Sequence, residues 1–393
     1  MRVYLDHAAT TPCDKQVVEK MLPYFTDNFG NSHSQHGFGR VTEQAVSKAR
    51  KDIADIIGCS PNELYFTASG TEADNWAIKG VALARKEKGN HIIISSIEHH
   101  AILNSADWLR HQGYEVTLLP VDNYGVVSLD SVRSAITDKT TLISVMLANN
   151  EVGTIEPIAE ISKIAREHGI IMHTDCVQAM GVLDVNVAKL GVDLLTMSAH
   201  KFYGPKGIGA LYIRNGVKID KLIVGGGQER AQRGGTTNTP AIVGMAEALK
   251  LAVATREEDN RYVASLRDLF VKRVLSEIPF VKYNGHPTNR LPSNANFSFE
   301  FIEGESILMS MDLQGIAVSS GSACSSGSLD PSHVLLAMGI DVVLSHGSIR
   351  FSFGKHNTVE EVNYTVDTLK TVIEKLRIMS PLFNLKEGDK RYV

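Results

Sequence analysis

Seven short apolar runs, rich in β-branched residues, recur between residues 63 and 213, and helical patterns fall between several of them. The runs are Glu63–Thr67, His91–Ser95, Glu115–Val121, Thr141–Leu147, Ile170–Thr174, Asp193–Met197 and Ile208–Ile213. Helical periodicity covers Val41–Ile57, Glu72–Lys86 and Ile158–Glu167. Strand–helix alternation of this kind predicts an α/β domain: a mostly parallel, mixed sheet covered by helices on both faces. Such sheets bind ligands at the carboxyl ends of their strands. The residues directly after each run are therefore where chemistry is expected.

After about residue 240 the pattern changes. A helical stretch with few breaks runs from Pro240 to about Ser276. It leads into a smaller α+β region with strands near Asn296–Phe299 and Ile349–Phe353 and a final helix over Val359–Arg377. A chain of 393 residues with 43% hydrophobic content exceeds what one core usually holds, so two domains are expected. The boundary is placed in the long helix: residues 13–255 form the large domain, and residues 1–12 with 256–393 form the small one.

A net charge of −4 with 21% charged residues offers no basic face for nucleic acid or a membrane surface. No apolar run approaches the roughly 20 residues needed to span a bilayer. Met1–His7 lacks the apolar segment of a secretory signal, so a cytoplasmic protein is expected. Four cysteines in so long a chain make neither a disulfide framework nor a CxxC metal pair. No metal site is expected. In a reducing compartment the thiols are free, and the question becomes which of them reacts.

Lys201 follows the buried run Asp193–Met197 within Ser198-Ala199-His200-Lys201. Most lysines are solvated, but burial at a strand end lowers an amine's pKa and suits it to form a Schiff base. Asp175 closes the run Ile170–Thr174. An acid there either caps a helix or keeps a pyridine nitrogen protonated, as pyridoxal 5'-phosphate (PLP) requires. Gln178, three residues on, can donate to the ring O3′. The turn Ser69-Gly70-Thr71-Glu72 follows a strand and opens a helix, which suits a phosphate. An ordinary helix cap would look the same. Ser198 and His200 can add phosphate contacts. His99 in Glu98-His99-His100 can stack on a planar ring, and Asn150 in Asn149-Asn150-Glu151 can reach the ring oxygen or simply form a turn.

In this order, the motifs resemble the fold-type I PLP enzymes of aminotransferase class V, and more narrowly the NifS/IscS-like cysteine desulfurases. The resemblance extends from Tyr4-Leu5-Asp6-His7-Ala8-Ala9-Thr10-Thr11 to Ser380-Pro381-Leu382-Phe383. It implies that Lys201 carries PLP as a Schiff base and that Asp175 pairs with the pyridine nitrogen. Gln178 and Asn150 would contact O3′, and His99 would stack on the ring. Gly70, Thr71, Ser198 and His200 would take the phosphate. Thr236, in Arg233-Gly234-Gly235-Thr236, resembles the residue that reaches the phosphate from a second subunit, which implies a homodimer.

The Ser/Gly-rich run Val318–Ser328 holds Cys324 and almost no large side chain, so it reads as a surface loop that cannot anchor itself in a core. A cysteine there is either incidental to a linker or a nucleophile that travels. The run resembles the signature around the persulfide-forming cysteine in the long-loop group of the family, over residues 319–330. Cys13, Cys59 and Cys176 match no such signature. Arg350 would clamp the substrate carboxylate, with help from Asn31. At this point the chain departs from the family: Gly-Asn-Pro-Ser-Ser is replaced by Gly30-Asn31-Ser32-His33-Ser34.

The activity so implied is removal of sulfur from L-cysteine. Lys201 moves the α-proton, the Cys324 thiolate attacks the substrate sulfur, His99 carries protons, and alanine leaves. The persulfide sulfur then passes to acceptor proteins for Fe–S cluster assembly or tRNA thiolation. Two other enzymes fit the same scaffold: a selenocysteine lyase and a class V aminotransferase, which needs no loop cysteine. A non-catalytic scaffold or regulatory protein would show a degraded Lys or Asp position, and neither is degraded here.

Overall fold

A computed structural model describes residues 1–320 and 330–383. Its strands, in chain order, are β1 (Val3–Tyr4), β2 (Leu64–Thr67), β3 (His91–Ser95), β4 (Glu115–Leu119), β5 (Thr140–Ser144) and β6 (Ile171–Asp175). They continue with β7 (Leu194–Ser198), β8 (Gly209–Ile213), β9 (Val281–Asn284), β10 (Asn294–Phe299), β11 (Ile316–Ala317) and β12 (Ser348–Ser352).

A seven-stranded sheet has the spatial order β2-β8-β7-β6-β5-β3-β4. From β7 to β4 every pairing is parallel, while β8 runs antiparallel to both its neighbours. The reversal follows from chain length. Only ten residues separate Ser198 from Gly209, too few for the crossover that a parallel return needs. Strands β3, β5, β6, β7 and β8 are buried at every residue. Covered on both faces, they read in sequence as continuous apolar runs without alternation.

The expected strands appear with ends shifted by a few residues. The run Thr141–Leu147 loses two-sided pairing after Ser144. Val145 and Leu147 still donate to the carbonyls of His173 and Asp175, but Met146 N–H turns to the Glu98 carboxyl. Three strands were not expected from sequence: β1, β9 and β11. Two of them are only two residues long and carry no periodicity.

A three-stranded antiparallel sheet, β12-β10-β9, and the parallel pair β1-β11 lie with the later helices. The 39-residue helix Thr239–Glu277 joins the two regions. Its first half buries Ala241, Ile242, Met245 and Leu249 in one apolar cluster with the large sheet. Its second half buries Val263, Leu266, Phe270 and Val274 in another cluster that also takes in Val3, Leu5, Phe297, Phe351 and Phe353. No helix among the described residues is long and apolar enough to cross a membrane.

Candidate active site

The parallel run of the sheet points the carboxyl ends of β2, β3, β5, β6 and β7 the same way, and the turns after them line one cavity of about 550 Å³. That volume lies in the range of cofactor sites. Its wall includes Gly70, Thr71, His99, Asn150, Asp175, Gln178, Ser198, His200, Lys201 and Arg350. Ten residues singled out from sequence thus share one space, although they span 280 positions of chain.

Each is held by local backbone. Lys201 ends a 3₁₀ turn, Ala199–Lys201, directly after β7. Its Nζ donates to the carbonyls of Ala8 (2.6 Å) and Ala9 (2.8 Å). Gln178 Nε2 donates to the same Ala8 carbonyl at 2.9 Å. Asp175, the last residue of β6, accepts the Val177 N–H at 2.7 Å. Burial pushes its carboxyl upward, against that hydrogen bond and the charge of Lys201.

His99 caps the helix His100–His111, its Nδ1 accepting the Ala101 N–H at 3.1 Å. The neutral ring must then carry its proton on Nε2. Burial lowers its pKa to about 4, helped by the positive charge of Lys201 and by His100 and His333. His200 is lowered to about 4 in the same way, by burial and then by Lys201 and Lys206.

The helix Gly70–Ala84 starts in the cavity wall, capped by the Ser69 hydroxyl, which accepts the Glu72 N–H. Gly70 is tightly seated: a Cβ there would lie 3.0 Å from Val177 Cγ2 and 3.3 Å from Ser198 Cβ. Gly209, at the start of β8, is more constrained. A Cβ would meet the Ser69 carbonyl carbon at 2.6 Å, so only glycine lets β8 approach the Ser69–Gly70 turn. The donor set matches PLP group for group: an amine, a buried acid, an amide, an imidazole, hydroxyls and a helix N-terminus.

Arg350 lies mid-strand in β12 and is 3% exposed. Its Nη2 donates to Asp6 Oδ1 at 2.9 Å and its Nη1 to the Asn150 carbonyl at 3.0 Å, while Nε is buried without a partner among the described residues. Its backbone bridges to Ser319.

Three sequence-predicted residues are not in this wall. Thr236 lines a neighbouring cavity of about 220 Å³ with Phe66, Thr67, Arg233 and Asn238, which shares Gly207 with the first. Asn31 does not line the cavity; its side chain accepts the His33 N–H at 3.0 Å, and its carbonyl accepts Ser34 N–H at 2.9 Å. The segment Gly30–Ser34 therefore closes on its own turn. Cys324 lies outside the described residues.

Sequence reasoning missed Asp74 and Lys206, which also line the cavity, and Asp6, which holds Arg350. Asp74 had a legible signal: it is a carboxylate on the buried face that Ala73, Ala77, Ile78 and Val81 mark on its helix.

A family model described as "Aminotransferase class-V" matches residues 3–365. A curated relative from Methanosarcina thermophila, "Cysteine desulfurase IscS", is 55% identical over 97% of this chain and 94% of its own length. Among solved structures, a "NIFS-LIKE PROTEIN" superposes with a TM-score of 0.91 at 38% identity, covering 96% of this chain and all of that one. Another, titled "SspA in complex with cysteine", has a TM-score of 0.80 at 36% identity and covers 91% of this chain and all of its own.

Proposed function

The chain belongs to the aminotransferase class-V family, and on that premise we propose that it is a PLP-dependent cysteine desulfurase. The observation that carries the reading is the shared cavity: Lys201 and Asp175 line it together with His99, Gln178 and Arg350. Full-length relatives named as cysteine desulfurases, and a similar structure titled as a complex with cysteine, support the substrate.

PLP, when bound, supplies an electrophilic carbon and a protonated pyridine ring that draws electrons from an amino acid's α-carbon. Lys201 would anchor it covalently and, once released by the substrate amine, would take the α-proton on Nζ. Asp175 would hold the ring nitrogen protonated, and Gln178 and Asn150 would hold O3′. Thr71, Ser198, His200 and the start of the helix at Gly70 would hold the phosphate. Arg350 would grip the substrate carboxylate, its planar fork already steadied by Asp6 and the Asn150 carbonyl. His99 would stack on the ring, with its Nε2–H available to the thiol steps.

The Cys324 thiolate would attack the substrate sulfur. The Cβ–S bond would break with its electron pair going to Cβ, the sulfur would stay on Cys324 as a persulfide, Cβ would be protonated, and Lys201 would return a proton to Cα before alanine leaves. An acceptor protein of the Fe–S assembly or tRNA-thiolation type would then collect the sulfur. The resemblance of Arg233-Gly234-Gly235-Thr236 to the segment that reaches a second subunit's phosphate supports a homodimer; Thr236 lines a neighbouring cavity that shares Gly207 with this one.

The Cys324→Ala variant tests this. It is expected to keep bound PLP and its visible absorbance while making no alanine from cysteine. Undiminished alanine production by that variant would refute the persulfide route.

A further inference from the structure

The proposed reaction leaves Asp74 without a task. It lies on the helix Gly70–Ala84, one turn beyond Gly70, is 2% exposed, and lines the same cavity as Asp175. Its Oδ1 has no hydrogen-bond partner among the described residues. Thr196 is its hydrogen-bonding neighbour, and His173 Nε2 stands 3.8 Å from Oδ1.

His173 is not a counter-ion. Its ring is fully buried, with Nδ1 against Ser144 Oγ at 2.8 Å and Nε2 against Thr196 Oγ1 at 3.1 Å, and burial lowers its pKa to about 3. The other groups acting on Asp74 are Asp175 on β6 and Glu98 after β3, both carboxyls, and the Cys176 thiol lies close by. Two like charges this deep cannot both be held, so the pair must keep a proton.

The partners decide which carboxyl keeps it. Asp175 accepts the Val177 N–H and faces the positive charge of Lys201, and both favour its anion. Asp74 has neither.

Resting on the cofactor reading above, we propose that Asp74 and Asp175 form a carboxyl pair holding one proton, kept on Asp74, so that Asp175 alone turns negative charge toward the ring nitrogen. Asp74 is then a positioning residue that acts through Asp175. An ionised Asp74 would instead draw a proton onto Asp175 and leave the ring nitrogen facing a neutral acid. A protonated carboxyl needs no cation, which is how Asp74 is tolerated at this depth.

Infrared difference spectroscopy of the PLP-loaded enzyme at neutral pH reads the proton directly. Wild type grown with and without carboxyl-¹³C aspartate is expected to show one carboxylic-acid band that shifts with the label and is missing from Asp74→Asn. No aspartate-derived acid band in wild type overturns the pair, and so does a band that persists in Asp74→Asn. If Asp74→Asn fails to fold, the labelled wild type decides alone. Asp175→Asn separates this from the reading beneath it. If that variant binds PLP as tightly as wild type, the cofactor assignment fails; if it binds weakly while wild type lacks the band, only the pair fails.

Discussion

Lys201 owes its place to the shortness of the turn after β7, which sets its Nζ over the Ala8 and Ala9 carbonyls. The N-terminal segment thus supplies the amine with a resting place beside Asp175 and Gln178. The Lys201→Ala variant is expected to fold and to carry no PLP that borohydride can fix to the chain; covalent fixation in that variant would contradict the assignment. His99 makes a sharper claim about pH. Its folded pKa is depressed to about 4, so it stays neutral as pH falls and protonates only near that value. A limb of the pH–rate profile near the ordinary histidine pKa should therefore survive in His99→Gln, while turnover falls by about 10²-fold or more for loss of a proton carrier. A limb near 6.5 that vanishes with His99 would contradict the burial argument.

Among the elements, the helix Thr239–Glu277 carries the most, because its two halves enter different apolar clusters. We propose that these clusters are the cores of two domains divided near residue 255. Phe270, fully buried, has ring centroids of Phe351, Phe353 and Phe297 at 4.6, 5.4 and 6.0 Å. Phe270→Ala is expected to cost about 3–5 kcal/mol in urea unfolding, with PLP absorbance retained under native conditions. A loss below about 1 kcal/mol would show that the second cluster does not pack as described.

Strands β3, β5, β6, β7 and β8 of the large sheet were legible because burial on both faces writes them as unbroken apolar runs bounded by polar turns. The helix Ile158–Glu167 was readable to the residue for the complementary reason: its apolar positions keep a helical period. The short strands β1 and β11 were not legible, since their pairing depends on partners over 300 residues away. In the site, residues that follow strands could be named from sequence. Asp6 escaped because its importance lies in what it faces, Arg350, and facing is a property of the fold; Asp74 carried a signal, its place on the buried face of its helix, that went unread. The reading of Asn31 rested on resemblance alone; in the fold its side chain and carbonyl close the turn Asn31–Ser34.

At the scale of the whole molecule, opposed groups of buried titratable residues set the pH range of stability. Glu98 and Glu156 are raised to about 8 and Glu151 to about 7, chiefly by burial. Folded, they keep a proton that the unfolded chain has lost above about 4.5, so their contribution fades as pH rises toward 8. His7 and His99 at about 4, with His173 at about 3, stay neutral in the fold while the unfolded chain protonates below about 6.5; their contribution fades as pH falls. Thermal unfolding is expected to be highest between about pH 5 and 7 and to decline on both sides. A midpoint that climbs steadily from pH 6 to 9 would contradict this balance.

In the proposed reaction, sulfur from cysteine comes to rest on one particular thiol of this chain. Incubating the PLP-loaded protein with L-cysteine, then mass-analysing its peptides without reduction, measures that transfer. One added sulfur is expected on the Cys324 peptide, removed by dithiothreitol, with alanine formed alongside. An unmodified Cys324 peptide in a protein that has released alanine would contradict it.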